Sequence, residues 1–147
     1  NQTTYASPRR TATGVEGNRL HQILAVIEKH MQLALSRFDC YLAVAGGLEV
    51  DEPAADLGIA AAIISSYKNV QLPRGTILIG EIGLGGQLRS VGQLSIRLKE
   101  AERLGFKRAV IPGKNPKNQI SYKEFNLEII EASTISEALG FALSMNF

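Results

Sequence analysis

The sequence predicts one mixed α/β domain of 147 residues. Three observations predict it. Short runs rich in branched apolar residues end at glycine or proline, as strands do. Longer stretches repeat apolar residues at three- and four-residue spacing, as helices do. The two kinds alternate along the chain without internal repeats or low-complexity tracts, which suits a few strands covered by about four helices.

The elements follow in order. Residues up to Ser7-Pro8 read as an extended segment, and Arg9-Arg10-Thr11-Ala12-Thr13-Gly14 as a polar loop. Asn18 is placed to cap a helix running to about Arg37, with Leu20, Ile23, Leu24, Ile27, Met31 and Leu35 as its buried stripe. Tyr41 to Ala45 is a short strand stopped by Gly46-Gly47, and Glu49-Val50-Asp51 continues an extended path. Pro53 suits the first turn of a helix over about 53–69 that is apolar nearly all round and so is expected to be buried on most sides. Thr76 to Ile82 reads as one buried strand, Gly83 to Gly86 as a tight turn, and Gln87 to Val91 as the hairpin partner. An amphipathic helix over 93–104 closes at Gly105. Arg108 to Ile111 is a strand ended by Pro112-Gly113, residues 113–126 are a polar excursion, and Leu127 to Ile130 is the last strand. Thr134, with Glu137 three residues on, has the spacing of a capping box for the final helix.

Composition narrows the classes. Hydrophobic residues at 45% and charged residues at 20% are ordinary for a soluble globular domain. The longest uninterrupted apolar run, Leu57 to Ile64, is too short to span a bilayer and contains a glycine, and the N-terminus lacks the order of a signal peptide. The single cysteine, Cys40, excludes an internal disulfide, makes a zinc cluster implausible, and reads as a buried, inert thiol. These features suit a reducing cytosol and no membrane partner. The net charge of +2 hides an asymmetry. Residues 1–37 hold five basic and two acidic residues, a net +3, and residues 38–88 hold two basic and six acidic, a net −4. Residues 89–123 hold nine basic and two acidic, a net +7, and residues 124–147 hold four acidic and no basic, a net −4. Two basic segments therefore flank an acidic centre, a distribution that bears on partners more than the total does.

Two segments carry the next inference. Asp51-Glu52-Pro53-Ala54-Ala55-Asp56-Leu57-Gly58 leads into a helix, and Gly80-Glu81-Ile82-Gly83-Leu84-Gly85-Gly86-Gln87-Leu88-Arg89 is followed by Val91-Gly92-Gln93-Leu94-Ser95. In this order they resemble the proteolytic domain of Lon, where P-K-D-G-P-S-A-G supplies a serine and G-G-L-K-E-K a lysine. The resemblance implies a serine–lysine protease frame in which the serine position reads Asp56 and the lysine position Ser95. A dyad needs a hydroxyl nucleophile, a lysine of lowered pKa beside it and N–H groups for the oxyanion. Acyl transfer to a carboxylate would give a labile anhydride, and Ser95 cannot act as a general base. The catalytic set is therefore expected to be absent. Asp56 reads as structural, at a helix start where a negative charge favours the dipole and accepts backbone N–H bonds.

Other candidates have plain readings beside the functional ones. Lys99, one turn beyond Ser95, can be imagined as a substitute base, but that spacing more often marks a solvated surface lysine. Ser65-Ser66 at the far end of the apolar helix read as bonding back to carbonyls. His21 and His30 lie nine residues apart on one helix and suit neither a metal pair nor a triad. Gly83-Leu84-Gly85-Gly86 lacks the lysine and spacing of a phosphate-binding loop. The basic residues Arg89, Arg97, Lys99, Arg103, Lys107, Arg108, Lys114, Lys117 and Lys123 fall within one segment, with Arg10 and Arg19 near the other end. They form either a solvated face paired locally to Glu100 and Glu102 or a phosphate-contacting face, and both readings stay open. Few aromatics and no tryptophan count against base stacking on single strands.

A wider pattern covers nearly the whole chain: Arg10-Thr11-Ala12-Thr13-Gly14, Asn18-Arg19-Leu20, Val44-Ala45-Gly46-Gly47, Asp51 to Leu57, Gly80-Glu81-Ile82-Gly83-Leu84 and Leu104-Gly105-Phe106-Lys107-Arg108-Ala109. In this order and spacing it resembles the C-terminal domain of the bacterial RadA (Sms) family. The resemblance implies a Lon proteolytic-domain fold, ribosomal protein S5 domain 2-like, occupying residues 1–147 as one domain. It further implies a C-terminal fragment of a longer chain whose zinc finger and RecA-like ATPase lie upstream. Zinc, ATP and magnesium are then expected only in those upstream domains, and no cofactor in this one. The family acts in recombinational DNA repair, with the ATPase driving branch migration. Its Lon-like domain is regarded as non-proteolytic, a hexameric ring platform that also touches DNA. The contact expected here is with duplex DNA, without reading sequence, through Arg10, Arg19, Arg89, Arg97, Lys99, Arg103, Lys107, Arg108, Lys114 and Lys117. The rivals are a pure oligomerisation module and a residual serine peptidase.

Overall fold

Arg10–Thr13 forms a strand, β1, rather than the polar loop its composition suggests. It is joined through helix α1, Gly17–Met31, to strand β2, Cys40–Ala43, and the two strands pair in parallel with Arg10 opposite Cys40 and Thr13 opposite Ala43. This is a β-α-β unit, which requires a crossover helix between its parallel strands. A computed structural model of the chain describes residues 9–35, 38–43, 52–113 and 122–147. The expected extended segments at 1–8 and Glu49-Val50-Asp51, the Gly46-Gly47 stop and residues 114–121 of the polar excursion lie outside them.

The chain divides into two compact units, Asn1–Glu52 and Pro53–Phe147. In the first, the stripe read from the sequence is the observed one: Leu20, Ile23, Leu24, Ile27, Met31 and Leu35 are all buried, with Val15 and Val26 added. The helix nevertheless ends six residues before Arg37, because Gln32 turns left-handed at φ 55°. Its N-cap is Glu16, so the capping role expected of Asn18 falls to a residue with no side-chain cap bond.

The second unit is built on a three-stranded parallel sheet of order β3–β6–β7. The strands are Thr76–Leu78, Arg108–Pro112 and Glu128–Ala132. Their register places Ile77 beside Ala109 and Ile129, and Leu78 beside Val110 and Ile130. Alternation then sends these two rows to opposite faces. Helix α3, Leu94–Arg103, covers the first face, where Leu94, Leu98 and Ala101 pack with Ile79, Ala109, Ile111 and Phe125. Helices α2, Asp56–Lys68, and α4, Ile135–Leu143, pack together on the other. A two-stranded hairpin, β4 (Glu81–Ile82) with β5 (Leu88–Arg89), projects between β3 and α3 in the chain.

Three expectations change here. Thr76 to Ile82 is two strands, because the chain breaks pairing with β6 after Ile79 and the Gly80 N–H turns to the Ala54 carbonyl at 2.9 Å. Pro53–Ala55 is a short 3-10 turn that leads into α2. That helix is buried along one stripe, Leu57, Ala60, Ala61 and Ile64, while Ala62 is exposed and Ile59 and Ile63 are half-buried. The final helix has the expected start: Thr134 Oγ1 accepts from the Glu137 N–H at 3.1 Å. The end of α3 is also as expected, with Gly105 at φ 91°. No helix among the described residues is long and apolar enough to cross a membrane.

Candidate functional site

Asp56, at the position the Lon-like frame assigns to serine, opens α2 and is only 7% exposed. Its Oδ2 accepts from the Ile82 N–H of β4 at 3.1 Å. Two backbone bonds flank it: Leu57 N–H to Gly80 O at 3.1 Å, and Gly80 N–H to Ala54 O at 2.9 Å. The carboxylate therefore joins the start of α2 to β4, and the two backbone bonds join it to the chain that links β3 with β4. It is an acceptor held by a backbone donor, and it presents no hydroxyl. Its place at a helix start and its acceptance of a backbone N–H are as the sequence suggests. The partner in a neighbouring hairpin carried no signal in the sequence.

Ser95, at the lysine position, is half-buried in the first turn of α3, and Lys99 is exposed one turn on. The glycines between β4 and β5 form a closed turn, with Gly83 N–H to Gln87 O at 2.8 Å and Gly86 N–H to Gly83 O at 2.9 Å. The Gln87 side chain folds over this turn so closely that a Cβ at Gly83 would lie 2.5 Å from it, and one at Gly85 2.8 Å. This is the hairpin that the sequence predicts at Gly83-Leu84-Gly85-Gly86. Ser65 Oγ bonds a carbonyl as expected, but forward to Val70 beyond the helix end. Cys40 is half-buried in β2, and burial pushes its thiol pKa up against the opposing pull of the Arg10 guanidinium. Among the described residues, no group of three or more His, Cys, Asp or Glu is placed to hold a metal ion.

The basic residues fall into two classes. Arg10 donates to the carbonyls of Leu35, at 2.8 Å, and Phe38, closing the connection after α1. Arg19 donates to the Glu52 carbonyl at 2.6 Å. Arg97 Nε donates to Gly92 O at 2.8 Å, bracing the entry to its own helix. Arg103 forms a two-pronged pair with Glu100, its Nε bonding Glu100 Oε2 at 3.0 Å, and this hydrogen bond holds the Glu100 carboxyl below its usual pKa. Arg108 Nε lies 3.5 Å from Glu128 Oε2 across the β6–β7 pair. Arg89, Lys99 and Lys107 are exposed and take part in none of these bonds. Glu102 accepts from the Asn126 N–H at 2.6 Å. Lys114 and Lys117 lie outside the described residues. Helix geometry also keeps Arg97 and Lys99 from sharing a face: two residues apart, they project about 160° from each other. Arg103 is about 40° from Lys99 on the same reckoning.

Comparison with known proteins places the chain. The family model described as subunit ChlI of Mg-chelatase matches residues 15–115. Proteins called DNA repair protein RadA match along nearly all of the chain. The one from Synechocystis sp. is 49% identical over 144 residues, covering 98% of this chain and 28% of that protein. Those from Halalkalibacterium halodurans and Bacillus subtilis are 44% and 42% identical over 141 residues, covering 96% of this chain and 30% of each protein. The chain thus spans less than a third of the length of these relatives. The chain belongs to the family that the ChlI model describes, and along nearly its whole length it is similar to part of the proteins called DNA repair protein RadA.

Proposed function

We propose that this chain is a non-proteolytic Lon-like domain of a RadA-type recombinational repair and branch-migration protein, serving as a ring-forming platform that also holds duplex DNA by its phosphates. The observation that carries the non-proteolytic part is the Asp56–Ile82 bond, which turns the nucleophile position into a buried joint between α2 and the β4–β5 hairpin. The full-length protein is then a cytoplasmic DNA-dependent ATPase, with ATP, magnesium and zinc held outside this domain. Six copies packed head to tail form the ring.

The DNA contact rests on the exposed cations. Five of the eight described candidates, Arg10, Arg19, Arg97, Arg103 and Arg108, already bond within the chain. Arg89, Lys99 and Lys107 are the side chains left for phosphate. Phosphate contacts of this kind fix a protein on the duplex without reading bases. Reversing all three charges to Glu is expected to weaken binding to a labelled duplex at least tenfold, while circular dichroism stays that of the parent. Unchanged affinity removes the contact from this domain. The engagement of the other arginines favours the rival, a pure assembly module, to the extent that it shrinks the basic surface. That rival predicts the same unchanged affinity.

A further inference from the structure

Around the starts of β3 and β6 the acidic side chains are already engaged. Glu100 is held by Arg103, and Glu128 lies 3.5 Å from Arg108. Glu102 accepts the Asn126 N–H at 2.6 Å. Two cations stand outside this pairing: Lys107, just before β6, and Arg74, just before β3. Both are exposed, and neither side chain takes part in these contacts. Arg74 belongs to the stretch 38–88, whose acidic balance hides it in a reading of segment charges.

Gly75 brings the two together. Its carbonyl accepts the Lys107 N–H at 2.8 Å and the Arg108 N–H at 3.0 Å, so the chains entering β3 and β6 run side by side. A Cβ on Gly75 would stand 3.8 Å from the Lys107 Cγ, and Gly75 itself turns at φ 75° between Arg74 and the strand. Paired strands lie about 5 Å apart and successive Cα atoms about 3.8 Å, so Arg74 and Lys107 start within about 9 Å of each other. Arg89 is at the opposite end of the sheet, where the Leu88 N–H bonds the Ser133 carbonyl just past β7. Arg74 is therefore a closer companion for Lys107 than Arg89 is.

Two like charges held close by the backbone make a local positive potential that an anion relieves. The surroundings select the kind of anion. Among the described residues the buried charged group is Asp56, at the other end of the sheet, so no buried polar side chain is aimed at the pair. Exposed, flexible cations suit a long polyanion met at several points. We infer that Arg74 and Lys107 together grip the phosphates of one stretch of duplex, at the end of the sheet away from Asp56. This deepens the DNA reading above and rests on it, adding a residue from outside the basic segment.

The test measures anisotropy of a labelled duplex across a salt titration, with the protein at its natural length. The variants are Arg74→Glu, Arg74→Gln, Arg74→Lys, Lys107→Glu and, as a charge control on α1, Lys29→Glu, each checked for folding by thermal unfolding. Arg74→Glu and Lys107→Glu are each expected to weaken binding by about threefold or more and to flatten the slope of log affinity against log salt by about 0.9. Arg74→Gln should lose less in the same direction, and Arg74→Lys and Lys29→Glu should stay near the parent. Parent affinity and slope in Arg74→Glu, with binding still weakened by joint reversal of Arg89, Lys99 and Lys107, would overturn the pair and leave the DNA reading standing. An equal loss in Lys29→Glu would reduce the effect to net charge and overturn the pair as well. No loss in any variant, the joint reversal included, would end both.

Discussion

The Asp56 carboxylate accepts the Ile82 N–H at 3.1 Å and so ties the first turn of α2 to β4. The bond crosses between elements 26 residues apart in sequence, at a position only 7% exposed. Removing a partner there leaves a backbone donor short of an acceptor, and bonds to a charged group are worth about 1.5–3 kcal/mol. Asp56→Ala is therefore expected to lower stability by about 1–3 kcal/mol in urea unfolding, and Asp56→Asn, which keeps an oxygen acceptor, by less. Asp56→Ser puts back the hydroxyl of a protease without its base. It is expected to be destabilised as well and to remain unlabelled by a fluorophosphonate probe. Labelling of that variant would show that the frame still activates a nucleophile.

Gln87 closes over the β4–β5 turn at the expense of any side chain on Gly83. Gly83→Ala must push the exposed, flexible Gln87 amide aside, which is expected to cost less than the roughly 1–3 kcal/mol of overpacking a core. In a Gln87→Ala background the same substitution is expected to cost much less. A double-mutant cycle read by thermal unfolding should give a coupling of about 0.5 kcal/mol or more, as contacting residues do. Additive effects would show that Gln87 is not the obstacle.

Thr134 caps α4 through the Glu137 N–H. Thr134→Ala is expected to cost about 1 kcal/mol and Thr134→Ser nearly nothing, measured by denaturant midpoint at unchanged slope.

The Glu100–Arg103 pair sets a pH dependence. The hydrogen bond from Arg103 holds the Glu100 carboxyl below its ordinary value of 4.5. Its folded-state pKa is thus lower than the unfolded one, so its contribution is complete above pH 4.5 and is lost as the pH falls through the folded value. Carbon-detected titration should place Glu100 below its ordinary value, and Arg103→Gln should return it there. Glu100→Gln also releases the Arg103 guanidinium, so it is expected to tighten binding to duplex DNA. Weaker binding would argue that the α3 surface does not meet phosphate.

Much of the fold is legible locally. The stripe from Leu20 to Leu35, the hairpin glycines, the Gly105 stop and the Thr134–Glu137 start each act within a turn or two of their own position. The misreadings come from longer-range causes. Arg10-Thr11-Ala12-Thr13 is too polar to announce a strand, and its order comes from pairing with β2 across α1. The end of α1 at Met31 depends on a left-handed Gln32, a residue with no particular claim to that conformation. The break after Ile79 follows from Gly80 bonding Ala54, a contact the local pattern does not contain. At the site the same division holds. The altered residues Asp56 and Ser95 are visible in the sequence, whereas the Ile82 donor and the carbonyls that occupy Arg10, Arg19 and Arg97 emerge only when the chain is folded.

The measurement that bears most directly on a platform holding DNA by its phosphates is fluorescence anisotropy of a labelled duplex across a salt titration. Each phosphate contact contributes about −0.9 to the slope of log affinity against log salt. With Arg89, Lys99 and Lys107 in contact, the slope is expected near −3 per bound copy, and duplexes of unrelated sequence should follow the same line. A flat dependence, or no binding at low salt, would contradict the DNA contact and leave the chain as an assembly module.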